Sequence, residues 1–259
     1  MVFDFAFILV LLTVITGAIW ALDVLVLRKR RAAATGDEPP PEPVIVEYAR
    51  SFFPIILIVL VVRSFMFEPF RIPSGSMMPT LRAGDFIFVS KFSYGLRLPV
   101  SNTLVLPLGG PQRGDVMVFR LPRDPATNYI KRVVGLPGDT VVYRDRQLYV
   151  NETPVPVREI GRWPGSPDPL LRLGREQLGA DEHEVLWHLQ GGSREGTFRI
   201  PDGHYFVMGD NRDNSTDSRY NEVGMIPEQL LVGRAVRIWM SWDSERRSPV
   251  WERIGNPIR

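Results

Sequence analysis

The sequence predicts a mainly β protein: an antiparallel β-sheet domain with a β-rich insertion, preceded by two N-terminal transmembrane helices. Three observations predict this fold. Two long apolar runs lie within residues 1–67, short segments rich in β-branched and aromatic residues follow them, and turn residues bound several of those segments. Beyond residue 70 a helical period of 3.6 is missing, apart from an ambiguous stretch over residues 170–178.

The first apolar run, Phe5 to Leu22, is uncharged over 18 residues. At about 1.5 Å per residue it covers roughly 27 Å, close to the hydrocarbon thickness of a bilayer. No positive charge precedes it, which argues against a signal peptide, whereas the basic cluster Arg28 to Arg31 follows it. The positive-inside rule places that cluster in the cytoplasm and the N-terminus outside. We assign residues 1–27 to a first transmembrane helix, with a buried core helix as the alternative.

Residues 28–50 join the basic cluster to a proline-rich stretch, and we expect an extended linker from Ala32 to Glu47. The second apolar segment, residues 51–67, is interrupted by Arg63, whose side chain could reach the headgroups from near one end. The alternative is a helix packed on the soluble domain. If the segment spans, the remaining chain lies on the same outer side as the N-terminus. In a Gram-negative cell this predicts a multi-pass protein of the inner membrane with its soluble part in the periplasm.

The soluble part is predicted to be built from strands. Residues 68–152 and 204–259 form two parts of one core, and Thr153–Gly203, rich in glycine, proline and charge, forms an insertion or subdomain between them. Segments rich in Val, Ile, Phe and Tyr predict strands at Asp85–Ser90, Asp115–Arg120, Tyr129–Val134, Thr140–Arg144, Gln147–Val150, Tyr205–Met208 and Ala235–Trp242.

The composition excludes several kinds of chemistry. The 31 lysines and arginines nearly balance the 29 aspartates and glutamates, which argues against nucleic acid as a partner. With no cysteine, the chain has no disulfide, thiolate metal site or cysteine nucleophile. Among the three histidines, His183 and His188 lie in a charged tract and are expected to be solvated, and His204 opens a strand. We therefore expect no metal and no cofactor.

A neutral lysine can activate a serine where no histidine does. Lysine has a pKa of about 10.4 in water, and burial among apolar groups can lower it by roughly 3–5 units. Of the three lysines, Lys29 is juxtamembrane, Lys91 ends a strand, and Lys131 lies within a strand. Alternation places Lys131 with Tyr129 and Val133 on one face. The alternative is an edge-strand lysine with its ammonium in water.

A tight turn supplies the candidate serines. Ser74, Gly75 and Ser76 follow the second apolar segment between Pro73 and Pro79, which make the turn rigid, and the glycine would let a substrate backbone approach closely. The alternative is an ordinary loop where the chain leaves the membrane. Neither interpretation is decided by composition.

The polar segment Gly209–Arg219 is the third candidate for a functional site. It could be a solvated loop or a calcium loop, but it lacks the closing glutamate of an EF-hand, and its two arginines oppose a cation. A network of aspartates with arginines that fixes the loop is the favoured interpretation.

Together and in this order, these segments resemble the bacterial type I signal peptidases (leader peptidases), membrane-anchored serine proteases of the Ser-Lys class. The resemblance covers most of residues 50–145 and 201–237, and residues 153–203 match weakly. The matching runs are Ile72–Leu81, Gly84–Asp85, Lys91–Gly95, Arg113–Phe119, Tyr129–Asp139 and Gly209–Arg219.

The resemblance implies a role for each matching residue. Ser76 is the expected nucleophile, Lys131 the general base, the Ser74 hydroxyl with the Ser76 N–H the oxyanion hole, and Ser215 a hydroxyl that orients the lysine amine. Residues expected to support the site through ion pairs are Asp210, Asp217, Arg132 and Arg219. Residues expected to line shallow pockets for small side chains are Phe70, Ile72, Met77, Leu81, Val118, Tyr129 and Ile130.

The implied activity is cleavage of exported precursors after a small residue, in an Ala-x-Ala pattern. The implied partners are the signal peptides of secreted precursors, the lipid bilayer and the secretion translocon. The chain departs from the family where Trp-Gly often follows the final arginine, since Tyr220 is followed here by Asn-Glu-Val-Gly224. This departure concerns the shape of the loop rather than the chemistry.

Two other functions are compatible with the same residues. Ser-Lys chemistry could serve self-cleavage, as in the SOS-response repressors, although two N-terminal spans and the lack of a DNA-binding segment argue against it. The chain could also be an anchored β module that binds peptides without cleaving them, in which case truncation of Ser76 would leave its function intact.

Overall fold

The computed structural model describes residues 5–35 and 42–259. These residues divide into two compact units. The first contains the described residues up to Phe67 together with Arg97–Thr103, and the second contains Glu68–Leu96 and Leu104–Arg259.

The first unit is helical. Helix α1 (Phe5–Leu22) continues through a π-helical turn, Asp23–Leu27, into α2 (Arg28–Thr35). Helix α3 (Val44–Val61) ends in a second π-helical turn, Val62–Met66. Both long helical stretches are apolar and long enough to cross a membrane, and few of their side chains are buried. A core helix of a soluble protein would instead bury its apolar face.

Helices α1 and α3 pack against each other as an antiparallel pair. The Phe53 ring fills the space beside Gly17, where an added Cβ would lie 2.8 Å from the ring, and it lies 5.6 Å from the Trp20 ring, centroid to centroid. At the other end, the Arg63 guanidinium lies 4.4 Å from the centroid of the Phe5 ring. The start of α1 is therefore beside the end of the α3 stretch, as in a helical hairpin.

The extended linker predicted from Ala32 to Glu47 is wrong at both ends. Helix α2 continues to Thr35, and α3 begins at Val44 rather than at residue 51. Pro43 directly precedes α3, where its missing N–H removes no intrahelical hydrogen bond. The first turns of α3 bury Val46 and Ala49, three residues apart on one helical face. The expectation for residues 36–41 lies outside the described residues.

The remaining described residues are mainly strands joined by turns. The strands are β1 (Phe67–Arg71), β2 (Asp85–Ser90), β3 (Leu96–Arg97), β4 (Leu104–Leu106), β5 (Val116–Leu121), β6 (Asp124–Gly135), β7 (Thr140–Arg144), β8 (Gln147–Val150), β9 (Thr153–Pro154), β10 (Val157–Arg162), β11 (Leu171–Leu178), β12 (Asp181–His188), β13 (Gly196–Arg199), β14 (His204–Met208), β15 (Ile226–Pro227), β16 (Leu231–Asp243) and β17 (Ser248–Pro249).

The largest sheet contains eight strands in the order β1-β2-β16-β5-β6-β14-β15, with β17 beside β16. Its paired strands β2, β16, β5, β6 and β14 run antiparallel to their neighbours. In the centre of the sheet, Met117 of β5 is opposite Lys131 of β6, and Val116 is opposite Arg132. A buried apolar cluster on this sheet includes Ile87, Val89, Val118, Ala235 and Ile238.

The predicted insertion, residues 153–203, divides between two smaller sheets. Strands β10, β11 and β12 form an antiparallel sheet of their own, whereas β9 and β13 pair with β8 and β7. The ambiguous stretch around Leu170–Leu178 is strand β11 rather than a helix. Every residue from Leu171 to Leu178 has a partner on β12, which gives the backbone a continuous hydrogen-bonding edge.

Candidate active site

The turn that carries Ser76 follows β1 and is held by buried apolar side chains on its C-terminal side. Met77 and Leu81 are fully buried in the cluster of the main sheet. The Ser74 and Ser76 hydroxyl oxygens lie 3.4 Å apart at the surface of this turn. The predicted nucleophile and the predicted oxyanion-hole hydroxyl are therefore side by side.

Strand β6 brings Lys131 to the same place. Its Nζ lies 2.7 Å from the Ser76 Oγ and donates to the Ile130 carbonyl at 2.9 Å. The lysine is only 4% exposed, and its Nζ lies 5.4 Å from the centroid of the Tyr129 ring. The alternative of an edge-strand lysine in water is therefore wrong, because β6 lies between β5 and β14.

Burial lowers the pKa of Lys131 to about 8, against the opposing effect of the Asp217 and Asp210 carboxylates. A group with that pKa is uncharged in about one molecule in ten at pH 7, compared with fewer than one in a thousand for an ordinary lysine. The amine can therefore accept a proton from Ser76 near neutral pH. Its position and its protonation state both suit a general base.

Two buried ion pairs lie next to this amine. Arg132 binds Asp210 through Nε and Nη2, both at 2.7 Å, and Arg219 binds Asp217 through Nε and Nη2, both at 2.8 Å. Burial raises the pKa of Asp210, but Arg132 outweighs it and keeps the pKa below the ordinary value. The Gly209 N–H donates to Asp217 at 2.9 Å. The loop is therefore the network of aspartates and arginines that the sequence favours.

An open cleft of about 410 Å³ contains the serine turn and the lysine. Its walls include two of the predicted pocket residues, Tyr129 and Ile130. The other predicted pocket residues lie in or against the buried apolar cluster: Phe70, Ile72, Met77, Leu81 and Val118. Ile130 belongs to both sets, since it lines the cleft and packs on that cluster. For all seven residues, contact with a substrate remains a prediction.

Comparison with known proteins identifies the family. A family model described as "Signal peptidase, peptidase S26" matches residues 45–240. "Signal peptidase I" of Pseudomonas aeruginosa is 52% identical over 227 residues, which cover 83% of this chain and 80% of that protein. "Signal peptidase I" of Haemophilus influenzae is 33% identical over an alignment 305 residues long, which covers 93% of this chain and 87% of that protein. The chain belongs to the signal peptidase I family.

Signal peptidases I of this family are membrane-anchored proteases, and the two apolar helices of this chain fit such an anchor. Family membership favours the signal peptidase prediction over the self-cleaving repressor and the non-enzymatic binding module. A solved structure of a signal peptidase I from Enterococcus faecalis V583 aligns with 49% of this chain and 97% of that chain, at 30% identity and a TM-score of 0.32.

Ser215 lies close to the nucleophile turn of this signal peptidase. A Cβ added to Gly209 would lie 2.2 Å from the Ser215 Oγ and 2.5 Å from the Ser76 carbonyl oxygen, so only glycine lets the three segments meet. Within the described residues, the Ser215 Oγ is buried without a hydrogen-bond partner. Its predicted role in orienting the lysine amine remains a prediction.

The prediction that His183 is solvated is wrong. Strand β12 places it opposite Glu176 of β11, where it is 6% exposed, with its Nε2 3.3 Å from the Glu176 carboxylate and 4.0 Å from Asp210. Burial lowers the pKa of His183, and the charge of Arg132 lowers it further. His188 is half-buried beside Asp168, at 3.2 Å. Antiparallel pairing of these strands would have revealed the first contact.

Four further site residues were not predicted from the sequence. Glu176 forms a buried, bidentate ion pair with Arg212 of the acidic loop. Thr80 donates to Asp210 at 2.5 Å and joins the nucleophile segment to the ion pair with Arg132. Asn211 binds the serine turn directly. Thr80, Asn211 and Arg212 lie within runs that the sequence singled out, whereas nothing in the local pattern marks Glu176.

Proposed function

We propose that this chain is a membrane-anchored serine endopeptidase that removes N-terminal signal peptides from exported precursors after an Ala-x-Ala site, using Ser76 and Lys131. One observation carries the proposal: the Lys131 Nζ lies 2.7 Å from the Ser76 Oγ. The same amine is buried, and its pKa is lowered to about 8. A nucleophile and a base within hydrogen-bonding reach of each other are the first requirement of acyl transfer.

The chemistry follows from these positions. The neutral Lys131 amine takes the proton of the Ser76 hydroxyl while Oγ bonds to the substrate carbonyl carbon. The carbonyl oxygen becomes negative, and the Ser74 hydroxyl and the Ser76 N–H stabilise it, each donor contributing roughly 3–4 kcal/mol in comparable sites. The C–N bond then breaks, and the lysine ammonium returns its proton to the leaving amine of the mature protein.

The acyl-enzyme is then hydrolysed by the same base. Lys131 takes a proton from a water molecule, the resulting hydroxide bonds to the acyl carbon, and the bond to Ser76 Oγ breaks. The proton passes from the lysine to Oγ, and the signal peptide leaves with a new carboxylate. Ser215, adjacent to this site, supports the amine in its reactive position in both halves of the reaction.

The cleft suits an extended peptide with small side chains. Its floor and walls combine the backbone of the Ser74–Ser76 turn with Tyr129 and Ile130, so a substrate strand can pair through its main chain while shallow pockets admit alanine. Phe70, Ile72, Met77, Leu81 and Val118 support these pockets from the apolar cluster.

The two apolar helices support a location of this reaction at a membrane. We propose that α1 and α3 span the inner membrane, with the basic cluster of residues 28–31 in the cytoplasm and the sheet domain in the periplasm. Signal peptides delivered by the secretion translocon would then present their cleavage sites on the side where the domain lies.

The test uses the full chain in detergent with a precursor that carries an Ala-x-Ala site, and the new N-terminus is sequenced. Ser76→Ala and Lys131→Arg should abolish cleavage and leave the circular dichroism spectrum unchanged, because arginine cannot supply a neutral base. Lys91→Arg is the matched control, since Lys91 pairs with Glu68 at 3.2 Å, and it should retain wild-type turnover. Near-normal turnover by Lys131→Arg would contradict the neutral-lysine role.

A further inference from the structure

A buried asparagine of the acidic loop holds the two carbonyl groups on either side of the nucleophile's backbone. The Asn211 backbone N–H donates to the Ser76 carbonyl at 3.1 Å, and its side-chain Nδ2 donates to the Gly75 carbonyl, also at 3.1 Å. Asn211 is only 5% exposed. Both bonds are therefore shielded from competition with water, which makes them firm constraints on the turn.

The Gly75 carbonyl also accepts from the Met78 N–H at 3.1 Å, and its two bonds together fix the direction of a particular N–H. The Gly75 carbonyl and the Ser76 N–H belong to one peptide group, which is planar, and in a trans peptide the two groups point in opposite directions. Holding the carbonyl on the side of Asn211 therefore turns the N–H to the opposite side. In the part of the chain that the structure describes, no group accepts a hydrogen bond from this N–H.

We propose that Asn211 is a positioning residue, which orients the Gly75–Ser76 peptide group so that its N–H meets the developing oxyanion. The inference rests on the proposed acyl-transfer function of Ser76 and adds a residue to it. Asn211 itself touches neither the substrate nor the reacting atoms; it acts through the peptide group that it binds.

Strand β12 holds Asn211 in turn. The Leu186 N–H donates to the Asp210 carbonyl, and the Arg212 N–H donates to the Leu186 carbonyl, both at 2.8 Å. Leu186 and Asn211 thus form a parallel bridge, in which one residue of β12 binds the backbone on both sides of the asparagine. Leu186 is fully buried, so this bridge is anchored in the apolar core.

Strand β11 adds a second anchor through charge. Glu176 is paired with Arg212, and the Arg212 Nε also donates to the Gly209 carbonyl at 3.2 Å. Glu176 and Arg212 are 1% and 3% exposed, so the pair is desolvated and rigid. The β11–β12 hairpin, which belongs to the segment that the sequence marks as an insertion, therefore fixes the loop that fixes the nucleophile turn.

The chemistry of the side chain explains why an asparagine suits this position. A carbonyl oxygen needs a donor, and the asparagine amide supplies one without charge. An aspartate at the same position would have the same shape but could only accept, so it would repel the Gly75 carbonyl. Alanine would keep the backbone bond to Ser76 and lose only the bond to Gly75.

The test compares wild type with Asn211→Ala in the full chain in detergent. We expect kcat for the Ala-x-Ala precursor to fall by about 10- to 100-fold, below the loss for complete removal of one oxyanion donor, with KM nearly unchanged. The apparent pKa below which kcat/KM falls should not change, because Lys131 is untouched. A lower kcat with an unchanged apparent pKa distinguishes a misdirected oxyanion donor from a disturbed base.

A peptide aldehyde that ends in alanine provides a direct readout. When it binds, the Ser76 Oγ bonds to the aldehyde carbon, the hydroxyl proton passes to Lys131, and a negative oxygen remains for the oxyanion donors. Its affinity should weaken by about the same factor as kcat, whereas the matching peptide alcohol, which has no carbonyl carbon for Oγ to bond to and so forms no oxyanion, should bind as tightly as to wild type.

Two further variants complete the design. Asn256→Ala is the matched control, since the Asn256 amide also donates to a backbone carbonyl, that of Glu252, and it should behave as wild type. Asn211→Asp keeps the side-chain shape and should lose aldehyde affinity when it is assayed above the pKa of Lys131. This variant tests the inference if Asn211→Ala does not fold.

The outcomes separate this inference from the proposed function. Wild-type kcat and aldehyde affinity in both Asn211 variants would overturn the positioning role. Equal losses of affinity for the aldehyde and the alcohol, with a lower melting temperature, would also overturn it by showing a structural role only. If the wild-type chain does not cleave the precursor, the proposed function fails before any variant is compared.

Discussion

Lys131 shows how burial lowers the pKa of an amine that lies beside two carboxylates. Asp210 and Asp217 both favour its ammonium form, but each already binds an arginine with two hydrogen bonds. The field of each carboxylate at the amine is therefore partly cancelled, and the effect of burial prevails. Since both carboxylates are paired with buried arginines, neither is an unshared counter-ion for Lys131.

This balance predicts the pH dependence of the reaction. The base must be unprotonated, so kcat/KM should fall about tenfold per pH unit below an apparent pKa of about 8 and reach a plateau above it. The measurement is kcat/KM for a short Ala-x-Ala peptide across this range, with recovery of activity after return to the plateau as a check on folding. An apparent pKa near the ordinary value for histidine would assign the base to another residue.

At the scale of single residues, the sequence predicts which residues form the site better than it predicts the environment of each side chain. Ser76 and Lys131 are predicted because the chain has only three lysines and because the runs that resemble the family occur in order, and the geometry brings the pair together. The environment of His183 was mispredicted because Asp210 comes from a distant part of the chain and Glu176 meets it only through the pairing of β11 with β12. A local run of charged residues cannot show which of its members tertiary pairing will bury.

Short runs of β-branched and aromatic residues between turn residues are the best predicted elements. Strands β2, β7 and β8 are such runs, and they have the bounds that the sequence predicts. The stretch of β11 was ambiguous because its leucines fit both periods, and pairing with β10 and β12 decides its structure. The start of α3 was missed because nearby prolines dominate the composition.

The pairing of β11 with the acidic loop predicts a strong coupling between Glu176 and Arg212. Glu176→Leu or Arg212→Leu alone leaves a buried charge unpaired, which costs about 3–5 kcal/mol in comparable pairs, whereas the double variant removes both charges and should lose much less. Urea unfolding of the four proteins in detergent gives the coupling energy. Additive losses in the double variant would show that the two side chains do not depend on each other.

The whole chain combines a helical hairpin, whose apolar side chains are largely exposed, with a sheet domain that carries the candidate site. The division between the two was readable from composition alone, because 18 uncharged residues have no place on the surface of a soluble protein. Strand order was not readable, since β16 lies between β2 and β5 although many residues separate them in the chain. Long-range pairing of this kind leaves no local signal.

Topology provides the prediction for the molecule as a whole. A reporter that is active only outside the cytoplasm, fused after Arg259, should be active in the wild type, because in the proposed topology both helices cross the membrane and the basic cluster stays inside. Changing Arg28, Lys29, Arg30 and Arg31 to glutamine removes most of the positive charge between the two spans and should leave a mixture of orientations. The matched control changes the exposed Arg246 and Arg247 to glutamine, which lie after both spans and should not affect orientation. Activity of a cytoplasmic reporter at the same site in the wild type would show that α1 and α3 do not both span, and would put the proposed periplasmic reaction on the wrong side of the membrane.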